Sequence, residues 1–342
     1  MSQVALARRA DVTQGHLSKM ENGLSDPSEE VLKRLANALD FPESFFSQPD
    51  RVYGLPVSVH PMHRKKAQVG QRALERTHAE LNIRLMHFRR LLQAVEFTPE
   101  FPMPQLDIDE YDENAEKIAE LVRRTWLLPR GPLQNLTECL EQAGCLVTWC
   151  DFSGAAIDAV TISVPGLPPC MFLNRDRPAD RMRFSVAHEL GHLVMHRIPT
   201  SEMEVQANEF ASALLMPAED IRGNFRGRVT LPRLASLKGV WRVSIQSLLM
   251  RAKAIGAISA NQSRYLWQQI NLKKIRFREP PELDFAHEEP RLLPTILKLH
   301  LEKLGYSVAE LAMALHTQEP ELRRMYGLLG DSVQDGHLRV VS

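Results

Sequence analysis

The sequence predicts an α+β fold, mostly helical: an N-terminal helix-turn-helix bundle, a central domain with a small sheet and an H-E-x-x-H helix, and a helical C-terminal part. Three observations predict it. Residues 2–46 break into short amphipathic pieces divided by capping and turn residues. Three strand-like runs, 145–152, 159–164 and 171–173, are separated by Gly and Pro. They precede R-F-S-V-A-H-E-L-G-H-L-V-M-H at 183–196, whose apolar residues suit a buried helix.

Composition narrows the class. The chain has 342 residues, 44% hydrophobic and 25% charged, enough for two or three domains of ordinary globular make-up. Net charge is zero, so no global field draws it to nucleic acid or membrane. Cys139, Cys145, Cys150 and Cys170 form no C-x-x-C pair and read as reduced buried thiols. No apolar run reaches the 18 or so residues of a membrane span, and no signal peptide opens the chain. A cytoplasmic location without membrane contact is expected.

At the N-terminus, residues 2–10 read as an alanine-rich helix and Asp11-Val12 as a turn. Thr13 is a good N-cap for a second helix that stops at Asn22-Gly23, and Asp26-Pro27-Ser28 caps a third. Two short helices joined by a tight turn suit a helix-turn-helix. S-Q-V-A-L-A-R-R-A-D-V-T-Q-G-H-L-S-K-M-E-N-G, followed by D-P-S-x-E-x-L-x-R-L-A-x-A-L, resembles the XRE (Cro/C1-type) family. The resemblance implies that 13–21 is a recognition helix facing DNA, with Thr13, Gln14, His16, Ser18 and Lys19 as its outward polar residues. Gln reads adenine and Lys meets guanine or phosphate. Two features depart from this: the family's usual first helix is missing before the S-Q helix, and residues 1–50 carry five cations against eight anions. A helical dimerisation or scaffold module is the competing reading.

Residues 51–97 reverse the charge, with nine Lys/Arg (Arg64, Lys65 and Lys66 among them) against three Glu. Leu74, Leu81, Leu85, Phe88, Leu92 and Val95 make a helical stripe. A basic helix that helps hold DNA and a connector packed on acidic neighbours explain it equally well. Residues 98–113, rich in Pro and acid, read as a linker, and helices follow at 115–126 and 133–143.

In the central motif, His188 and His192 are four apart and share a helix face, so both imidazoles can reach one metal. Glu189 sits one step round, where a carboxylate can take a proton from a water beside the metal. A close neighbour, or the metal site itself, would explain Gly191. Alone, H-E-x-x-H is a moderate signal that also fits a surface His pair.

The third ligand follows from hairpin arithmetic. His196 lies one turn beyond His192, about 6 Å along the axis. Pro199 marks a turn, and Ser201 can N-cap a returning helix. Glu204 then comes back level with His192, and Asn208 with His188 on the same face, giving a His₂Glu site with an amide behind it. His196, about 12 Å along the axis from His188, lies too far to join the metal. Glu202 and Glu209 are the runners-up to Glu204. Met195 and Ile198 exclude the metzincin pattern.

The runs N-R-D-R-P-A-D-R-M-R-F-S-V-A-H-E-L-G-H-L-V-M-H (174–196) and E-V-Q-A-N-E-F-A-S-A-L-L-M-P (204–217) resemble the ImmA/IrrE family of zinc metallopeptidase-like proteins. The resemblance implies a zincin-like domain with Zn²⁺ on His188, His192 and Glu204, and Glu189 as general base. It also implies cleavage of a repressor protein, and many members pair this domain with an XRE module. L-K-G-V-W-R-V-S-I-Q-S-L-L-M-R-A (237–252) resembles the helical pair that follows the zinc core.

Residues 276–289 read as a linker, and 292–304 and 308–315 as final helices. G-Y-S-V-A-E-L-A-M-A-L (305–315) has the pattern of half a helix-turn-helix; with no good partner helix, it reads as core packing.

The expected divisions are 1–50 for the helix-turn-helix, 51–113 for the basic connector and linker, 114–275 for the metallopeptidase domain and 276–342 for the extension. The expected function is a transcriptional regulator whose zinc domain hydrolyses a peptide bond in a protein partner, a repressor, with DNA and a second copy of the chain as further partners. The rivals are a DNA-binding regulator whose zinc domain is a non-catalytic sensor, and an antitoxin-like interaction protein. His196, Arg251 and Tyr265 are candidate oxyanion donors with no spacing argument behind them.

Overall fold

The computed structural model describes residues 1–54, 71–152, 154, 156–327 and 338–340. Residues 55–70 of the basic segment, with Arg64, Lys65 and Lys66, lie outside them. The chain divides into two compact units, one of Met1–Tyr53, Asn82–Glu96 and Pro294–Ser342, the other of Gly54–Leu81 and Phe97–Leu293.

The first unit opens with helices Gln3–Arg9, Gln14–Glu21 and Glu29–Leu39. Each begins where the side chain of Ser2, Thr13 or Ser28 accepts a backbone N–H, an interaction whose removal typically costs about 1 kcal/mol. Asp11 (φ 51°) makes the turn between the first two, and Gly23 (φ 67°) ends the second. Ala7, Ala10, Leu17, Val31, Leu35 and Ala38 form the core of this bundle. From the basic helix Gln71–Leu91, Leu85 and Phe88 are buried in the same unit. Arg89 and Arg90 pair with Asp50 at 2.7 and 2.8 Å, so these two cations are engaged by an acidic neighbour.

The unit closes with helices Leu292–Glu302, Val308–Ala314 and Glu319–Tyr326. The last is the partner helix that segment 305–315 lacks in the sequence reading. Its local plan repeats that of the N-terminus. Ser307 caps a seven-residue helix, His316 (φ 54°) makes the turn and an eight-residue helix follows, as with Ser2, Asp11 and Gln14–Glu21. Leu311, Ala312, Leu315 and Leu322 are buried, so the segment is core packing and a helix–turn–helix together.

The second unit holds helices Ala115–Thr125 and Leu136–Gln142, then a three-stranded sheet. Strand Leu146–Trp149 runs parallel to the central strand Cys170–Leu173, which pairs antiparallel with Ala159–Ile162. Both faces of the sheet are covered, and ten of its twelve strand residues are apolar. Helix Ala179–Met195 packs on strand Ala159–Ile162 and against helix Met203–Leu215. The latter helix starts after Glu202, which makes no side-chain cap bond; Ser201 is not its cap, contrary to the sequence reading.

Two buried cations tie this arrangement together. Arg123 donates to the carbonyls of Leu214 (2.7 Å), Pro129 and Gly131 (2.9 Å), closing the end of helix Met203–Leu215. Lys238, 1% exposed, joins Asp180 of the H-E-x-x-H helix to Glu279. Helices Leu231–Trp241 and Ile245–Ala254 form another helix–turn–helix pair, with Arg242 (φ 52°) in the turn and Ser244 as cap. No helix among the described residues is long and apolar enough to cross a membrane.

Candidate metal centre

The helix Ala179–Met195 carries His188 and His192 on one face because they are one turn apart. His196 is its C-cap. After a six-residue turn the helix Met203–Leu215 returns and brings Glu204 onto both imidazoles. Glu204 Oε2 lies 3.6 Å from His188 Nε2, and Oε1 lies 3.5 Å from His192 Nε2. The two Nε2 atoms are 3.0 Å apart. One donor atom from each of the three residues lies within 4.8 Å of the others, and among the described residues no other such cluster of three forms.

Zinc bonds of about 2.0–2.2 Å in tetrahedral geometry place donors about 3.3–3.6 Å apart, close to the spacing seen. Glu204 Oε1 is buried without a hydrogen-bond partner, which suits a carboxylate oxygen directed at an ion. The residues therefore fit a divalent metal of tetrahedral preference.

Groups behind the donors set their orientation. Asn208 donates its amide N–H to the Glu204 carbonyl at 2.6 Å, which turns Oδ1 toward His188 Nδ1 at 3.1 Å. An amide oxygen only accepts, so His188 carries a proton on Nδ1, and its neutral form presents an Nε2 lone pair toward Glu204. On the other side, His192 Nδ1 lies 2.9 Å from His196 Nδ1, and His196 Nε2 lies 3.0 Å from Gln206 Oε1.

Electrostatics follow the burial. Burial pushes the Glu189 carboxyl up, while the His192 and His188 imidazoles and then Thr161 pull it back; the net direction is upward. When their Nε2 atoms are protonated, His188 and then His192 hold Glu204 down at about 2, a role that a metal ion takes over when those atoms are lone pairs. Burial disfavours a charged His188, but its bond to Glu204 and the charges of Glu189 and Glu204 outweigh this and raise its pKa.

A cavity of about 360 Å³ opens on these residues. His188, Glu189, Glu204 and Asn208 line it together with Asp158 and Ala159, at the start of strand Ala159–Ile162, and with Ser244, Ser247 and Arg276–Glu279. Phe277 stands 92% exposed. Ala159–Ile162 is an edge strand of its sheet among the described residues.

The structure brings together His188, Glu189, His192, Glu204 and Asn208. Glu202 and Glu209 are exposed and outside the cluster. Arg251 is engaged by the Met216 carbonyl and Glu116, and Tyr265 is 51% exposed; neither lines the cavity. Thr161 and Gln206 went unnoticed in the sequence. Nothing in their local pattern marks them, since each reaches the site through tertiary packing.

In the N-terminal bundle, Thr13 caps the second helix, accepting from the His16 N–H at 3.2 Å. Gln14 donates to Gln3 at 3.1 Å, and Gln3 to Glu21 at 2.6 Å, so the start of the first helix is linked to both ends of the second. Gln14 and Lys19 are exposed, and His16 and Ser18 are partly so.

Comparison with known families agrees with both parts. Residues 1–46 match the model of a helix-turn-helix domain, and residues 140–253 match that of an IrrE N-terminal-like domain. The chain therefore joins an XRE-type helix-turn-helix module to an IrrE N-terminal-like domain of the metallopeptidase type. No curated protein matches the chain.

Proposed function

We propose that this chain is a DNA-binding regulator whose IrrE-like domain is a zinc-dependent endopeptidase acting on a partner protein, a repressor. The convergence of His188 Nε2, His192 Nε2 and Glu204 beside a buried Glu189 carries the reading. Zinc held by those three residues supplies Lewis acidity toward a carbonyl and toward water. Glu189, with its carboxyl pushed up by burial, is poised to accept a proton at the cavity wall and to return it to the leaving amine. Thr161, on strand Ala159–Ile162, favours the charged form of that carboxylate. The edge strand Ala159–Ile162 gives an extended peptide a backbone to pair with beside the cavity. Thr13, Gln14, His16, Ser18 and Lys19 are the proposed DNA contacts.

The test has two parts. Metal analysis is expected to find about one zinc per chain, lost in His188→Ala. Incubation with repressors encoded beside the gene is expected to yield fragments with the wild type and none with Glu189→Gln, which keeps its zinc. A zinc-free wild type overturns the reading. Bound zinc with no cleavage, but with a changed DNA affinity, turns it into the sensor reading.

A further inference from the structure

We infer that His196 and Gln206 are positioning residues that fix the protonation pattern of His192 and so hold its Nε2 open for the metal. The inference deepens the metal-centre reading and rests on it. The hydrogen bonds run in series: Gln206 Oε1 to His196 Nε2 at 3.0 Å, then His196 Nδ1 to His192 Nδ1 at 2.9 Å. The amide oxygen has no proton to give, so His196 Nε2–H donates to it. A neutral imidazole has one proton, which leaves His196 Nδ1 as an acceptor. His192 must then donate from Nδ1, and its Nε2 keeps the lone pair that faces Glu204.

Reversing the Gln206 amide reverses every step. Its N–H would donate to His196 Nε2, His196 would donate from Nδ1, and His192 would carry its proton on Nε2, where it blocks coordination. Metal binding by His192 therefore selects one amide orientation at a residue that never touches the metal.

Each metal histidine thus has its own orienting amide from helix Met203–Leu215. Asn208 acts directly on His188, and Gln206 acts on His192 through His196. Glu204, Gln206 and Asn208 are alternate residues of the first two turns of that helix. Gln206 is 8% exposed, and burial in a low-dielectric setting strengthens such a chain.

Zinc dissociation constants, measured by competition with a chromophoric chelator on the full chain, test this. Gln206→Leu and His196→Ala are expected to weaken zinc binding about 10- to 100-fold, the usual range for groups that orient metal ligands. Gln206→Glu, which keeps an acceptor at the same place, is expected to restore affinity to within a few-fold of wild type. In the zinc-loaded wild type, side-chain ¹⁵N spectra are expected to show His196 protonated on Nε2, and His188 and His192 on Nδ1. This measurement needs no variant to fold. A wild type that binds no zinc sinks the metal-centre reading and this one with it. Unchanged affinity in Gln206→Leu and His196→Ala, or a proton on His196 Nδ1, sinks this inference alone.

Discussion

Gly191 and Phe210 meet without room for a side chain between them. A Cβ on Gly191 would lie 3.1 Å from the Phe210 ring and 3.3 Å from the Ala207 backbone. The two helices that carry the donor residues touch at this point, and Phe210 is fully buried.

Gly191→Ala gains about 1 kcal/mol of helix propensity. Overpacking against a ring that has nowhere to move typically costs about 1–3 kcal/mol. A net loss of roughly 1 kcal/mol in urea unfolding is expected, together with weaker zinc binding as the helices separate. Phe210→Leu in the same chain should recover part of both. A Gly191→Ala protein more stable than wild type would show that the helices can spread at little cost.

Lys238→Met leaves Asp180 and Glu279 buried with no cation between them. Removing one partner of a buried charge cluster typically costs about 3–5 kcal/mol. Combining Lys238→Met with Asp180→Asn and Glu279→Gln removes all three charges and should recover most of the loss. Chemical denaturation of the single and triple variants measures both; equal stability of the two would contradict the account.

His87 gives a pH dependence with a definite sign. Burial, then the Arg84 and Arg90 charges, hold its pKa down at about 3, against 6.5 for the free side chain. As pH falls, the unfolded chain takes the proton first. The stability from neutral His87 is therefore complete above pH 6.5 and is lost as pH falls from 6.5 toward about 3, by about 1.4 kcal/mol per unit. Urea unfolding of wild type and His87→Gln between pH 4 and 8 should show the wild type with the steeper slope. Parallel curves would place the His87 pKa near its free value.

DNA binding by the N-terminal module is expected to be weak in its salt dependence, because residues 1–50 carry more anions than cations. Lys19→Ala should lower affinity for all sequences alike and reduce the salt slope by about one. Gln14→Ala should cost about 1–3 kcal/mol on the preferred site only. Gel shifts with the gene's own upstream DNA at several salt concentrations separate the two effects. Absence of any shift at low salt would favour a scaffold role.

What the sequence makes legible here is what helix geometry makes local. His188 and His192 share a face by periodicity, and Glu204 and Asn208 come level with them once the turn at 197–202 is recognised. Ser2, Thr13 and Ser28 announce helix starts because their side chains satisfy the exposed N–H groups at each start. Ser201 carries the same signal without acting on it.

Contacts that cross between elements are not legible in this way. Thr161 reaches Glu189 from a strand, and Gln206 reaches His196 from the far side of its helix. The helix Glu319–Tyr326 hides behind a polar E-P-E-L-R-R run. Its proline sits in the first turn, the position where proline begins a helix and does not break one.

His188 and Glu204 stand sixteen positions apart along the chain, on either side of a single turn. An ion binding them closes a short loop, and the entropy of such a closure depends only on the logarithm of its length. Metal removal therefore releases a hairpin, and the Arg123 and Lys238 clamps still fasten its outer ends. Amide exchange should record this as faster opening confined to the facing turns around Gly191 and Ala207, with the strands near Phe172 unchanged. Chelation would then loosen one region of a domain that stays folded, and such an opening reverses when metal returns.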